Sequence, residues 1–156
     1  MDSAGRPITI LVAEDDADDR MMLKEAFEKG RLGNELQFVE DGEQLLDYLH
    51  RRGRFAGLIG KPYPALILLD LNMPKKDGRE ALAEIKRNPE LRRIPVVILA
   101  DMNTEGDILR TYDLGANSFI TKPGTFDKLV KMVGVIENYW AKIVQLPPLT
   151  RSTAMG

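Results

Sequence analysis

Cysteine is absent from the 156 residues, which excludes disulfides and thiolate metal sites and is compatible with a cytoplasmic location. No apolar run approaches the length needed to span a bilayer, so no membrane partner is expected. Met1 to Pro7 is short and polar, without a basic region followed by an apolar segment, so no secretory signal is expected either. Positive charge is not concentrated: 22 Lys and Arg stand against 24 Asp and Glu, for a net charge of −2. Only Arg51, Arg52 and Arg54 cluster, which leaves no electrostatic footprint for nucleic acid. What remains, 44% hydrophobic and 29% charged residues, is the composition of one ordinary globular domain with a proper core.

The rest of the chain is organised around Ala65 to Gly78, ALILLDLNMPKKDG. A continuous apolar run without alternation predicts a strand covered on both faces, as in a parallel sheet between helix layers. Asp70 is the first polar residue at its carboxyl end, and Asn72, Pro74 and Gly78 punctuate the turn beyond. Ile8 to Val12 is a second, β-branched strand, and it too runs into acid at Glu14, Asp15 and Asp16. Ligands bind at this edge of open α/β sheets, so two strands deliver carboxylates to one crevice.

Ala17 to Lys29 reads as a helix, with Met22, Leu23, Ala26 and Phe27 on one side and Gly30 and Gly33 at its end. Asp16, Asp18 and Asp19 suit its positive N-terminus and read as cap charges rather than ligands. Leu36 to Val39 is a short strand, and Asp41-Gly42 turns into a helix from Glu43 to Arg51. The only histidine, His50, lies at that helix end with Arg51 and Arg52, where positive charge is favoured. Arg52 to Pro64, rich in Gly and Pro, is expected to be structureless.

Asp77 and Gly78 start a helix that runs to Arg87, Ile94 to Leu99 is an apolar strand, and Thr104 to Leu114 is a helix capped by Gly115. Ser118 to Thr121 is the last strand and ends at Lys122-Pro123. Phe126 to Val144 is expected as one long helix, with more apolar surface than one buried face requires. The alternation of strands and helices predicts a flavodoxin-like, doubly wound parallel sheet of five strands, order 2-1-3-4-5, with helices on both faces. Residues 8–146 form this domain, between a flexible N-terminus at 1–7 and a loose C-terminal tail at 147–156.

The active edge then gathers Glu14 to Asp16, Asp70, Ala100 to Asp101, and Lys122. Carboxylates brought together are pushed toward protonation unless a cation sits among them. With no Cys and no neighbouring His, the fitting ion is a hard, oxygen-preferring one, Mg²⁺. Such an ion permits Asp70 to act as a nucleophile toward phosphorus, and Lys122 supplies the remaining positive charge.

Glu14-Asp15, Asp70 with Pro74 and Gly78, and Lys122-Pro123, in that order and on those elements, resemble the receiver domain of two-component response regulators. The likeness spans Ile8 to Val144. It implies that Asp70 accepts a phosphoryl group from a histidine kinase and that Glu14, Asp15, Asp70 and the backbone carbonyl of Asn72 hold the metal. It further implies that Lys122 contacts the phosphoryl oxygens, that the Lys122-Pro123 bond is cis, and that the chain is a phosphoacceptor with at most slow self-dephosphorylation rather than an enzyme. A narrower resemblance lies in Asp70 to Lys86, in the long loop after the second helix, and in Tyr139 to Pro147. These look like the single-domain regulators paired with bacterial and cyanobacterial phytochromes. That likeness implies a phytochrome-type kinase, an unnamed downstream protein, and a homodimer using Tyr139, Trp140, Val144 and Leu146.

One position departs from the pattern. Where receivers end the fourth strand in a switch Ser or Thr, this chain has Ala100, followed by Asp101. One charge-assisted hydrogen bond of roughly 1.5 to 3 kcal/mol is then missing from the phosphorylated state. Phe119, at the switch aromatic position, has only Ala100 in its path. The alternative reading is therefore a degenerate receiver, a phospho-independent interaction or dimerisation module. An aspartate-nucleophile phosphatase is a third reading, disfavoured because Asn72 stands where those enzymes place a second Asp.

Overall fold

Short apolar runs form the inner strands β1 (Thr9–Ala13), β3 (Leu66–Asp70) and β4 (Val96–Ala100), and mixed polar and apolar residues form the edge strands β2 (Glu35–Val39) and β5 (Ser118–Thr121). They make one parallel sheet of order β2-β1-β3-β4-β5, as the alternation of elements predicts. The computed structural model describes residues 8–30, 33–101 and 105–148. The predicted flexible N-terminus, Thr104 at the start of the fourth helix, and residues 149–156 of the predicted tail lie outside them.

The central strands β3 and β4 are buried along their whole length, which is why their sequences are apolar without interruption. Successive side chains alternate between two cores. Ile10, Val12, Leu66, Leu68, Val97 and Leu99 meet Leu23, Ala26 and Phe27 of α1 (Ala17–Gly30) and Leu129, Val133 and Ile136 of α5 (Phe126–Glu137). On the other face Leu11, Ile67, Leu69 and Ile98 meet Leu45, Leu46 and Leu49 of α2 (Gly42–His50) and Ala81, Leu82 and Ile85 of α3 (Gly78–Arg87). The fourth helix, α4 (Glu105–Asp113), buries Thr111 and leaves Leu109 and Tyr112 exposed.

The helix starts follow the capping chemistry of their sequences. Asp16 Oδ1 accepts from the backbone N–H groups of Asp18 and Asp19, Asp41 Oδ1 from Gln44, and Asp77 Oδ1 from Glu80. Gly115 takes a φ of 109° just beyond α4, the left-handed conformation that suits glycine at a helix end.

Three expectations need correction. The segment Arg52 to Pro64 is not structureless: Gly53–Leu58 is a 3₁₀ helix. Arg51 orders the whole loop, stacking between the rings of Tyr48 and Tyr63 while its guanidinium donates to the carbonyls of Tyr48, Lys61 and Pro62. The last helix is not uniform, because α5 passes into a π-helical segment, Asn138–Ile143, closed by Val144 N–H donating to Tyr139 O at 3.0 Å. The wider turn rotates the apolar stripe, so that Ala141 is buried while Tyr139 and Ile143 face outward. Finally, no cis peptide occurs among the described residues, so Lys122-Pro123 is trans. Trans is the ordinary minimum before proline by roughly 0.5 to 1 kcal/mol.

The turn after β3 is closed by Gly78, whose N–H donates to Leu71 O at 2.8 Å. A Cβ there would lie 2.4 Å from Asp70 O and 2.7 Å from Leu71 Cα, so no other residue fits without moving the backbone that carries Asp70. Gly78→Ala is expected to destabilise the fold by roughly 1 to 3 kcal/mol, read as a lower urea midpoint. Gly57→Ala, which meets nothing within 4 Å, is expected to leave the midpoint in place.

Candidate functional site

Strand register assembles the site. Ala13 pairs with Leu69, so the next residues, Glu14 and Asp70, emerge side by side, and Ala100 pairs with Thr121 so that Lys122 follows on the same edge. Glu14 and Asp70 are 2% and 6% exposed, whereas Asp15 is open to solvent. Carboxylate oxygens of the three lie within 4.8 Å of one another.

Each buried carboxylate is held by the backbone at one oxygen and by Lys122 at the other. Glu14 Oε2 accepts from Asp16 N–H at 3.2 Å and Asp70 Oδ1 from Asn72 N–H at 3.1 Å. Lys122 Nζ stands 2.7 Å from Glu14 Oε1 and 3.4 Å from Asp70 Oδ2. Its own backbone N–H donates to Ala100 O at 2.7 Å, fixing the lysine to the end of β4.

Burial pushes the Glu14 carboxyl up to about 8, with Asp70 pushing the same way and Lys122 opposing. For Lys122, burial favours the neutral amine, yet the hydrogen bond and charge of Glu14, with Asp70 and Asp101, outweigh it and hold the amine above its ordinary value. The Glu14 shift is mainly the cost of burying a charge, and the Lys122 shift reflects the acids gathered around it. Three convergent oxygens without sulfur or imidazole are the donor set of a hard divalent cation, so the residues present fit that group.

The other predicted positions are distributed as follows. Ala100 is buried at the end of β4 and offers only a methyl group, and Asp101 beside it is exposed. Phe119 is half-buried and packs on the same core cluster as Ala100. Trp140 and Leu146 are partly buried against the opposite core and Val144 is half-buried, whereas Tyr139 is exposed. Two residues escape sequence reasoning. Asp19, read as a cap charge, also brings Oδ2 within 3.4 Å of Lys122 Nζ. Arg20 donates to the backbone carbonyls of Glu14 and Asp15. The available signal is a cation one turn into a helix, where the dipole disfavours positive charge unless a partner compensates.

The family model of the response regulator receiver domain matches residues 10–134. The chain is 42% identical to the response regulator Rcp1 of Synechocystis sp., over 94% of this chain and 97% of that protein. The crystal structure of the phosphorylated cyanobacterial phytochrome response regulator RcpA is 42% identical, with a TM-score of 0.84 over 91% of this chain and 99% of its own. The Mn²⁺-bound form of Rcp1 is 42% identical, with a TM-score of 0.81 over 90% of this chain and 99% of its own. The matched stretch contains Glu14, Asp15, Asp70, Ala100 and Lys122; receiver domains bind a divalent metal in an acidic pocket, and an acidic cluster is present here. The chain belongs to the response regulator receiver domain family.

Proposed function

We propose that this chain is a response regulator that accepts a phosphoryl group on Asp70 from a phytochrome-type histidine kinase, in a Mg²⁺-dependent reaction, and signals through protein contacts. The observation that carries the reading is the Lys122 ammonium held between Glu14 and Asp70, beside the exposed Asp15. The phosphorylated relative RcpA, a cyanobacterial phytochrome response regulator, supports both the acceptor and the class of kinase.

An oxygen of Asp70 forms a bond to the phosphorus of the kinase's phosphohistidine as the P–N bond breaks, and the imidazole leaves with that electron pair. Asn72 N–H keeps the other Asp70 oxygen in place. Glu14, Asp15, Asp70 and the Asn72 carbonyl would hold Mg²⁺, which would supply the charge neutralisation that lets a carboxylate approach an anionic phosphoryl group. Lys122 meets the phosphoryl oxygens. The product is an acyl phosphate that this chain loses slowly, so the protein is a phosphoacceptor and not a turnover enzyme.

The output surface is α4, β5 and α5, acting on a downstream protein in the cytoplasm, with no nucleic acid or membrane involved. Val135, Tyr139 and Ile143, at 68%, 48% and 61% exposure, support a homodimer along the last helix. Trp140, Val144 and Leu146 form the half-buried flank of that face. Ala100 favours a second reading, in which Asp70 is phosphorylated or not without consequence and the chain works as an interaction module.

Intact mass after incubation with Mg²⁺ and acetyl phosphate is expected to show one added phosphoryl group, absent from Asp70→Asn. An unmodified wild type, or equal labelling of the variant, would contradict the proposal. Mg²⁺ at about a hundred times its dissociation constant is expected to add about 2.7 kcal/mol of stability. Asp15→Asn, at the same Mg²⁺ concentration, is expected to lose most of that gain in a thermal melt.

A further inference from the structure

Arg20 grips the backbone that carries both N-terminal acids. Its Nη1 donates to Glu14 O at 2.8 Å and to Asp15 O at 3.0 Å, while Nη2 pairs with Glu40 Oε1 at 3.2 Å. Glu40 lies in the turn between β2 and α2, where its N–H donates to Gln44 Oε1 at 2.9 Å. The same oxygen accepts from Arg54 Nη2 in the 3₁₀ loop, also at 2.9 Å. One guanidinium therefore ties the β1–α1 loop to the neighbouring loops of the sheet edge.

The two acids depend on this clamp to different degrees. Glu14 is also fixed by its N–H on Val39 O and by Lys122 and Asp16 at its carboxylate. Asp15 has an exposed carboxylate, and the point from which that side chain reaches toward the site is fixed by the peptide that carries it. Arg20 holds that peptide by its carbonyl. The guanidinium fork reaches two carbonyls and a carboxylate at once, which a lysine ammonium on a flexible stem does not reproduce.

Arg20 has opposing influences on a cation bound nearby. Its charge repels the ion, and its hydrogen bonds preorganise the ligands. The geometry favours the second, because Nη1 is spent on two carbonyl bonds of ordinary length. We propose that Arg20 is a positioning residue that sets the divalent-cation affinity of the site by fixing the Glu14–Asp15 backbone, with Glu40 as its anchor. This rests on the reading of the acid cluster as a cation site.

Partners one shell out from a metal ligand are typically worth 10- to 100-fold in affinity. With the Arg20 side chain 21% exposed, a loss of about tenfold is expected for Arg20→Met, at the low end of that range. Arg20→Lys is expected to recover part of it. Glu40→Gln removes one exposed ion pair and is expected to cost about threefold or less.

The test is calorimetric titration of Mn²⁺ and of Mg²⁺ into the full chain and these variants, at a temperature where urea melts show each to be folded. The graded order of wild type, Glu40→Gln, Arg20→Lys and Arg20→Met, from tightest to weakest, supports the inference. Unchanged or tighter binding by Arg20→Met overturns it, since tighter binding means that Arg20 acts only as a repelling charge. Should Arg20→Met not fold, wild-type affinity in Arg20→Lys overturns it instead. A separate failure, wild type that binds neither ion or Asp15→Asn that binds as well as wild type, overturns the reading of the site itself.

Discussion

The ammonium of Lys122 allows two buried carboxylates to share one sheet edge. Glu14 and Asp70 have left water almost completely, with carboxylate oxygens within 4.8 Å of one another, and like charges at such spacing repel by roughly 3 to 4 kcal/mol at an effective dielectric near 20. Two backbone amides, at Asp16 and Asn72, and one lysine take the place of the lost solvent. The compensation is incomplete, and that is its functional content. Asp15 adds a third, exposed carboxylate whose oxygens lie within 4.8 Å of those of Glu14 and Asp70, a donor set that fits a hard divalent cation.

The fold and the site solve the same geometric problem. Parallel strands with every crossover on a helix put the carboxyl ends of β1, β3 and β5 along one edge, and register then decides which side chains meet. Gly78 and Asn72 shape the turn beyond Asp70, Arg20 the loop beyond β1, and Pro123 follows the lysine. In the proposed transfer to Asp70 these surrounding residues contribute positioning and electrostatics, as phosphoryl transfer generally requires.

Much of this was legible in the sequence because the physics was local. Leu66 to Leu69 and Val96 to Leu99 are apolar on both faces, which only a central parallel strand explains, and Asp16, Asp41 and Asp77 cap helices by bonds that reach two or three residues. What escaped was non-local. Nothing near Arg51 announces that Tyr63, twelve residues on, will close over its guanidinium opposite Tyr48. The π turn at Asn138 shifts the register of a helix without changing its composition. Asp19 reads as a cap charge and Arg20 lies unremarked in the same helix, and their further contacts depend on where β5 and β2 come to lie. The trans Lys122-Pro123 bond went against a family habit, not against a local rule.

Ala100 concentrates the remaining tension between chemistry and signalling. The acceptor chemistry needs carboxylates able to hold a cation and a lysine beside them, and this edge supplies both. Transmission toward β5 is a separate requirement, and here a buried methyl and a half-buried Phe119 already pack on one core. The central claim, that Asp70 with a divalent cation and Lys122 forms a phosphoryl site, is tested most directly by fluorine NMR with beryllium trifluoride, a mimic of an acyl phosphate. The account predicts bound fluoride resonances that require Mg²⁺ and vanish in Asp70→Asn. Absence of bound resonances in the wild type, or their persistence in the variant, would contradict it.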